Sequence, residues 1–120
     1  MEFEMKKPIE VADGVHTGEI SKIVYKEDKY SYTDVYVTID GIDDAELRYG
    51  CPTSVKLNTK LGKLLLAFEK IDVGTNVDPE KILVGKRVSF QTLNEETKSG
   101  TFARIVVGSI KPIVQSAEVK

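Results

Sequence analysis

The alternation of hydrophobic and other side chains constrains the fold of this chain more than any other feature. Val35, Val37 and Ile39 recur at every second position, which is the period of a half-buried β-strand. Residues 14–25 are rich in β-branched side chains, and their alternation changes phase between Ile20 and Ile23. This change predicts a long strand with a bulge or bend. We therefore predict five strands, at residues 14–25, 30–40, 45–51, 86–93 and 101–109.

One stretch changes to a helical period. Its hydrophobic residues stand at positions i, i+3, i+4 and i+7: Leu61, Leu64, Leu65 and Phe68. This spacing predicts an amphipathic helix. Asn58 or Thr59 can cap its start, and Ser54 is a possible earlier cap. A capping Asp78 before a proline favours a short helical turn at 79–83.

The order of predicted elements is β-β-β-α-β-β, with the one substantial helix between the third and fourth strands. This order matches the OB-fold, a five-stranded Greek-key barrel. We predict one OB-fold domain at residues 14–112, a flexible arm at 1–13 and a C-terminal tail at 113–120. SH3-like barrels and α+β sheets with a helix across one face remain alternatives.

Length and composition fit one soluble domain. A chain of 120 residues can bury a core without disulfides or metal, and a single cysteine excludes an intramolecular disulfide. The longest apolar run, residues 64–68, is far shorter than the stretch of about 20 residues that crosses a bilayer. The N-terminal residues lack the pattern of a secretory signal. We therefore expect a cytoplasmic protein with no membrane partner.

Charged residues are distributed unevenly along the chain. The whole chain has a formal net charge of −2, so it lacks the overall basic character that is typical of nucleic-acid-binding domains. Residues 81–111, however, contain six basic and two acidic residues. The C-terminal third is therefore a candidate for a basic surface.

The sequence carries no strong signature of an enzyme or a metal site. His16 and Cys51 are the only residues of their types, so we interpret both as structural. Acidic residues between the second and third strands do not have the spacing of a calcium loop: Asp40, Asp43, Asp44 and Glu46. No glycine-rich loop has the spacing of a phosphate-binding motif. We predict no catalytic residue, no metal and no cofactor; a small hydrolase or nuclease that uses Asp40, Asp43 and Asp44 is an alternative.

Aromatic and basic residues on neighbouring strands form a candidate binding face. If Val35 and its alternating neighbours point inward, Tyr32 and Tyr36 point outward, and the same parity exposes Arg48, Phe102 and Arg104. A base stacked on an exposed ring contributes about 1–3 kcal/mol, and each cation can neutralise a phosphate. Alternatively, Tyr36 packs across strands with Arg48 or against the N-terminal arm, and a bulge that shifts the parity by one residue buries Phe102.

Three segments resemble small single-stranded DNA-binding proteins of phage and archaeal type: Thr59-Lys60-Leu61-Gly62-Lys63-Leu64-Leu65, Leu83-Val84-Gly85-Lys86-Arg87-Val88 and Ser109-Ile110-Lys111-Pro112. The resemblance implies that the second and third strands, with the 1–2 and 4–5 loops, line a groove for the nucleic acid. Carried onto this chain, it selects nine residues: Lys26, Lys29, Tyr30, Tyr32, Tyr36, Arg48, Lys98, Phe102 and Arg104. The sequence departs from the pattern in having Glu95-Glu96 in the 4–5 loop and no tryptophan.

Two functions of different classes follow. The first is a non-enzymatic protein that binds single-stranded DNA or RNA by stacking and phosphate contacts, in replication, recombination or repair. The second is a protein-interaction module, in which the same exposed aromatic residues hold a partner chain or a second copy in a homo-oligomer. The acidic isoelectric point favours the second function.

Overall fold

The structure is a computed structural model that describes residues 1–2, 11–27, 29–43, 45–98 and 100–113. Its elements, in chain order, are β1 (Gly14–Glu27), β2 (Ser31–Thr38), β3 (Glu46–Pro52), α1 (Lys60–Phe68), α2 (Pro79–Leu83), β4 (Arg87–Thr97), β5 (Gly100–Ile105) and β6 (Lys111–Pro112). All the strand pairs are antiparallel. The expectation of a mainly β domain is therefore confirmed.

Strand β1 joins the two halves of the sheet. Its first half pairs with β4 and its second half pairs with β2, and the register shifts between Ile20 and Lys22. This irregularity confirms the bulge predicted from the change of phase. Gly18 lies just before it, where a Cβ atom would lie 1.8 Å from the carbonyl oxygen of Thr38. Only a residue without a side chain allows β1 to pass this close to the end of β2.

The sheet has the strand order β3-β2-β1-β4-β5, and β6 also pairs with β4. Strands β3 and β5, the two ends of this order, approach each other to within 8 Å between Cα atoms. The sixth strand was not predicted. It forms because the chain turns after β5 and returns along β4, where Ser89 pairs with Lys111.

The hairpin of β4 and β5 differs from its prediction. Residues 94–97, expected in a loop, continue the ladder until Thr97 pairs with Gly100. Strand β5 ends at Ile105, since a turn follows in which the Ser109 N–H donates to the carbonyl oxygen of Val106. The alternation of the predicted fifth strand points Ala103, Ile105 and Val107 inward, but Val107 lies in this turn and is exposed.

Two helices lie between β3 and β4: the predicted amphipathic helix α1, and α2 at the predicted short helical turn of residues 79–83. The Thr59 hydroxyl caps α1 by accepting a bond of 3.0 Å from the Gly62 N–H, and Asp78 caps α2. Helix α1 buries Leu61, Leu64 and Leu65 against the sheet. The hydrophobic period identified α1, whereas α2 is too short to show a period and is marked by its cap alone.

The core contains the residues that the second-strand pattern predicts. Val35, Val37 and Ile39 are buried together with Phe90 of β4 and the α1 leucines. Cys51 is fully buried among them, and this burial raises the pKa of its thiol to about 11. The thiol is therefore protonated at neutral pH, as expected for a structural cysteine.

The described N-terminal residues next to β1 pack on the sheet. Val11 is buried, and the Asp13 carboxylate accepts a bond of 2.7 Å from the Asn94 N–H. The Thr92 hydroxyl donates to the Ala12 carbonyl oxygen. Residues 11–13 of the predicted arm thus contact β4, while residues 3–10, and residues 114–120 of the predicted tail, lie outside the described residues.

A polar cluster ties the connection after β2 to β1 and β4. The Arg87 guanidinium donates to both carboxylate oxygens of Asp40, and the Thr17 hydroxyl donates to Oδ2 at 2.7 Å. These bonds, the one from Arg87 first, lower the pKa of Asp40 to about 2 from its ordinary 3.8. The charged carboxylate is therefore favoured in the folded state.

We expect stability to fall as the pH is lowered from about 4 to about 2, because the unfolded chain then binds a proton that folded Asp40 does not. Above about pH 5 the carboxylate is charged in both states and its contribution is complete. The Asp40→Asn variant should be less stable than wild type at pH 5 and lose less between pH 4 and pH 2. Urea midpoints across this range measure the effect, with Asp43→Asn in the same connection as the control. If Asp40→Asn loses as much stability as wild type between pH 4 and pH 2, Asp40 is not the cause of the pH dependence.

Candidate functional site

A cleft of about 650 Å³, the main cleft, brings together parts of the chain that are distant in sequence. Its walls come from the end of β1, from β2 and β3, from the start of α1, and from β5 with the turn after it. The volume lies within the range typical of ligand-binding pockets, which is about 300–1,000 Å³. Five of the nine predicted binding residues line it: Lys26, Tyr30, Tyr32, Arg48 and Arg104.

Two of the three tyrosines that line the main cleft are exposed. Tyr30 precedes β2 and is 70% exposed, and Tyr32 within β2 is 42% exposed. The alternation of β2 explains the second of these, since Thr33 and Val35 are buried on the opposite face. Both rings are accessible to a ligand in the cleft.

The other four predicted residues do not line the main cleft. Tyr36 is half-buried, and Lys22 Nζ lies 4.8 Å from the centre of its ring. Lys29 and Lys98 are exposed in turns at the ends of the two hairpins. Phe102 is 53% exposed and shares a face of β5 with Arg104, farther along the hairpin. The rings at 36 and 102 are thus partly or fully outside the core, but they are not assembled with the two cleft tyrosines.

A buried carboxylate lies in the main cleft. The Asp34 side chain is only 4% exposed, with Oδ2 at 3.1 Å from Lys26 Nζ and at 4.0 Å from Arg48 Nη1. Among the described residues no donor directs a hydrogen bond to this oxygen. The alternation of β2 that predicts Tyr32 and Tyr36 on the outward face predicts Asp34 there as well. Asp34 does lie on the outward face, but the two cations cover it, and its cross-strand partner Gly50 leaves room for it.

Lys60 and Tyr49 were not selected from the sequence. Lys60 Nζ donates a bond of 2.6 Å to the Gly50 carbonyl oxygen and lies 4.3 Å from the centre of the Tyr49 ring. The Tyr49 hydroxyl accepts from the Gly108 N–H, and burial is the main cause that raises its pKa. Lys60 is thereby held at the cleft wall. The sequence does mark Lys60 as unusual, because it lies in the first turn of a helix, where the helix dipole disfavours a positive charge.

Arg104 enters the main cleft from β5 and is held by a carboxylate. Its Nη1 donates to both oxygens of Glu95, at 3.0 and 2.9 Å. The two residues are diagonal neighbours across the hairpin, since Glu95 pairs with Phe102. The extension of β4 beyond its predicted end is what places Glu95 on this ladder. A residue expected in a loop therefore pairs with a cation of the cleft.

Positive charge predominates in the main cleft. Within the described part of the chain, its lining contains four cations, Lys26, Arg48, Lys60 and Arg104, and one carboxylate. This concentration contrasts with the net charge of −2 of the whole chain. The arrangement of two accessible rings beside four cations can bind a planar group and an anionic group at the same time.

Comparisons with protein-family models and with curated proteins returned no match for this chain. The geometry of the main cleft therefore carries the functional argument.

Neither a metal centre nor a membrane-spanning helix is found in the described residues. No three histidine, cysteine, aspartate or glutamate side chains among them are grouped as metal ligands would be. Within the same residues, no helix has the length and apolar character needed to cross a bilayer.

Proposed function

We propose that this chain binds single-stranded nucleic acid, with DNA as the first ligand to test, in the main cleft. The observation that carries the proposal is that two accessible tyrosines and four cations line the same surface. Binding, without catalysis, is the function that this combination fits best. We propose that this binding serves replication, recombination or repair.

The rings and the cations would bind different parts of a strand. Bases unstacked from one another can stack on Tyr30 and Tyr32, and every base has a face suited to this contact. The phosphates between them would be neutralised by Lys26, Arg48 and Lys60, with release of counterions. Paired bases in a duplex do not offer these faces. We therefore expect a preference for single strands with little dependence on base sequence.

The strand arrangement supports an OB-fold barrel as the scaffold for this function. An OB-fold uses a bent first strand that pairs with strands 2 and 4, and β1 pairs with β2 and β4 on either side of its bulge. Closure would bring β3 beside β5, and these two strands approach each other. The bond from Gly108 N–H to the Tyr49 hydroxyl also links β3 to the turn after β5. In that fold strands 2 and 3 and the neighbouring loops form the ligand face, in agreement with the position of the main cleft.

Fluorescence anisotropy with labelled single-stranded oligonucleotides of several lengths tests the proposal. We expect the affinity to fall steeply as salt is raised. We also expect unlabelled single strands to compete for binding better than duplex of equal length. The length dependence gives the site size. No binding at low salt with micromolar protein would refute the proposal, and the exposed aromatic residues would then be examined as a protein interface or a homodimer contact.

Lys60 supplies a specific prediction within this account. Lys60→Met removes the charge and keeps much of the side-chain stem, so we expect about fivefold weaker binding and a salt slope smaller by about 0.7, the value for one phosphate of a single strand. The control is Lys63→Met, which removes the same charge one turn along α1, outside the main cleft. Equal effects of the two substitutions on affinity and slope would show that only overall charge matters.

A further inference from the structure

Three of the four cations in the main cleft already contact carboxylates of the same chain. Lys26 and Arg48 flank Asp34, and Arg104 is bound by Glu95 through two hydrogen bonds. Lys60, by contrast, is held by a carbonyl oxygen and a ring, and within the described residues it has no carboxylate partner. The cations that would meet a strand are therefore largely paired in the free protein.

We propose that Asp34 and Glu95 are internal competitors for phosphate, and that they lower the affinity of the main cleft for a bound strand. This inference rests on the proposed function, since it concerns the same cleft. A carboxylate and a phosphate offer similar oxygens to a lysine or an arginine. Binding of a strand is then an exchange, in which phosphates replace the carboxylates as partners of the cations.

The two carboxylates differ in how they can respond to a strand. Glu95 is 51% exposed, so it can rotate into solvent when a phosphate takes Arg104. Asp34 is 4% exposed and has no such freedom. If Lys26 and Arg48 turn towards phosphates, Asp34 keeps a buried charge with fewer partners, which is unfavourable. Asp34 should therefore oppose binding more strongly than Glu95.

This competition also explains why a cleft rich in cations coexists with an acidic chain. The carboxylates reduce the electrostatic attraction for any polyanion and leave stacking on Tyr30 and Tyr32 as a larger share of the affinity. A strand that offers both unstacked bases and phosphates gains from both contacts. Polyanions that lack bases gain only from the cations, which are already paired, so the carboxylates favour single-stranded nucleic acid over them.

The test compares three variants that each remove one negative charge: Asp34→Asn, Glu95→Gln and Glu96→Gln. Glu96 is the matched control, because it adjoins Glu95 on β4, alternates to the other face, and has no ion pair in the described part of the chain. We expect oligo-dT to bind Asp34→Asn about tenfold more tightly and Glu95→Gln about threefold more tightly than wild type. Glu96→Gln should stay within about twofold.

The salt dependence gives a second readout that a purely structural role would not change. When a strand displaces Asp34 from its cations in wild type, this carboxylate takes up a counterion, so Asp34→Asn, which lacks the charge, should steepen the slope of log affinity against log salt by up to about 0.7. Heparin, a polyanion without bases, should gain more from Asp34→Asn than oligo-dT does. Thermal melting checks folding, and Glu95→Gln, at an exposed pair, carries the test if Asp34→Asn is unfolded.

The outcomes separate this inference from the proposed function. If wild type and all three variants fail to bind oligo-dT, the proposed function fails. Wild-type binding that is unchanged or weakened by Glu95→Gln and by folded Asp34→Asn overturns the competition alone. An equal gain in all three variants also overturns it, because it would reflect total charge and not the ion pairs of the cleft.

Discussion

Replacing Tyr30 and Tyr32 together by alanine is expected to weaken single-strand binding by about 30-fold or more. Each base stacked on an aromatic ring contributes about 1–3 kcal/mol, and the double variant removes the two exposed rings of the main cleft. Both side chains are exposed by 42% or more, so their removal should change the melting temperature little. The salt slope should stay near the wild-type value, because no cation is lost. Anisotropy titrations of oligo-dT at several salt concentrations measure both quantities.

Tyr25→Ala is the control for this prediction. Tyr25 lies on β1 and is 49% exposed, but it does not line the main cleft. Its pKa is raised mainly by desolvation and further by the negative charges of Glu80 and Asp78, a setting that disfavours phosphate. We expect its substitution to change the affinity less than twofold. If Tyr25→Ala weakens binding as much as the double variant does, the strand lies on another face.

The Gly18→Ala substitution is expected to destabilise the fold by about 3 kcal/mol or more. A Cβ atom at this position would lie 1.8 Å from the Thr38 carbonyl oxygen, which is a backbone atom and cannot rotate away. Either the passage of β1 beside β2 opens or its bulge moves, and both changes disturb core packing. The free energy of unfolding from urea denaturation measures the effect.

Gly50→Ala is a suitable comparison for Gly18→Ala. It makes the same chemical change in another strand, where the added Cβ would lie 3.1 Å from a side-chain oxygen of Asp34. A contact of this length needs a shift of only a few tenths of an ångström, so we expect a loss below about 1.5 kcal/mol. A loss from Gly18→Ala no larger than that from Gly50→Ala would mean that the close approach at Gly18 is not needed.

The parts of the fold that depend on local pattern were predicted from the sequence. Alternation around Val35 identified β2, its change of phase identified the bulge in β1, and the spacing from Leu61 identified α1. The predicted end of β4 was wrong. Glu95 and Glu96 have low strand propensity and are kept extended only by pairing with β5. Strand β6 was missed for a similar reason, since two residues carry no period.

The candidate site was predicted in part, because its residues come from separate elements. The parity of β2 and β3 correctly placed Tyr32 and Arg48 on the outward face, and both line the main cleft. Lys60 reaches it only through the packing of α1 beside β3. The burial of Asp34 depends on a glycine across the strand pair and on two covering cations. Such contacts between distant residues have no local signature.

An NMR titration of isotope-labelled protein with oligo-dT shows whether a single strand binds in the main cleft. We expect chemical-shift changes for the backbone amides of residues 26, 30, 32, 48–50, 60 and 104, and little change in α2. The changes should diminish as salt is added. Absence of any change at low salt, or changes confined to residues outside the main cleft, would show that no strand binds there.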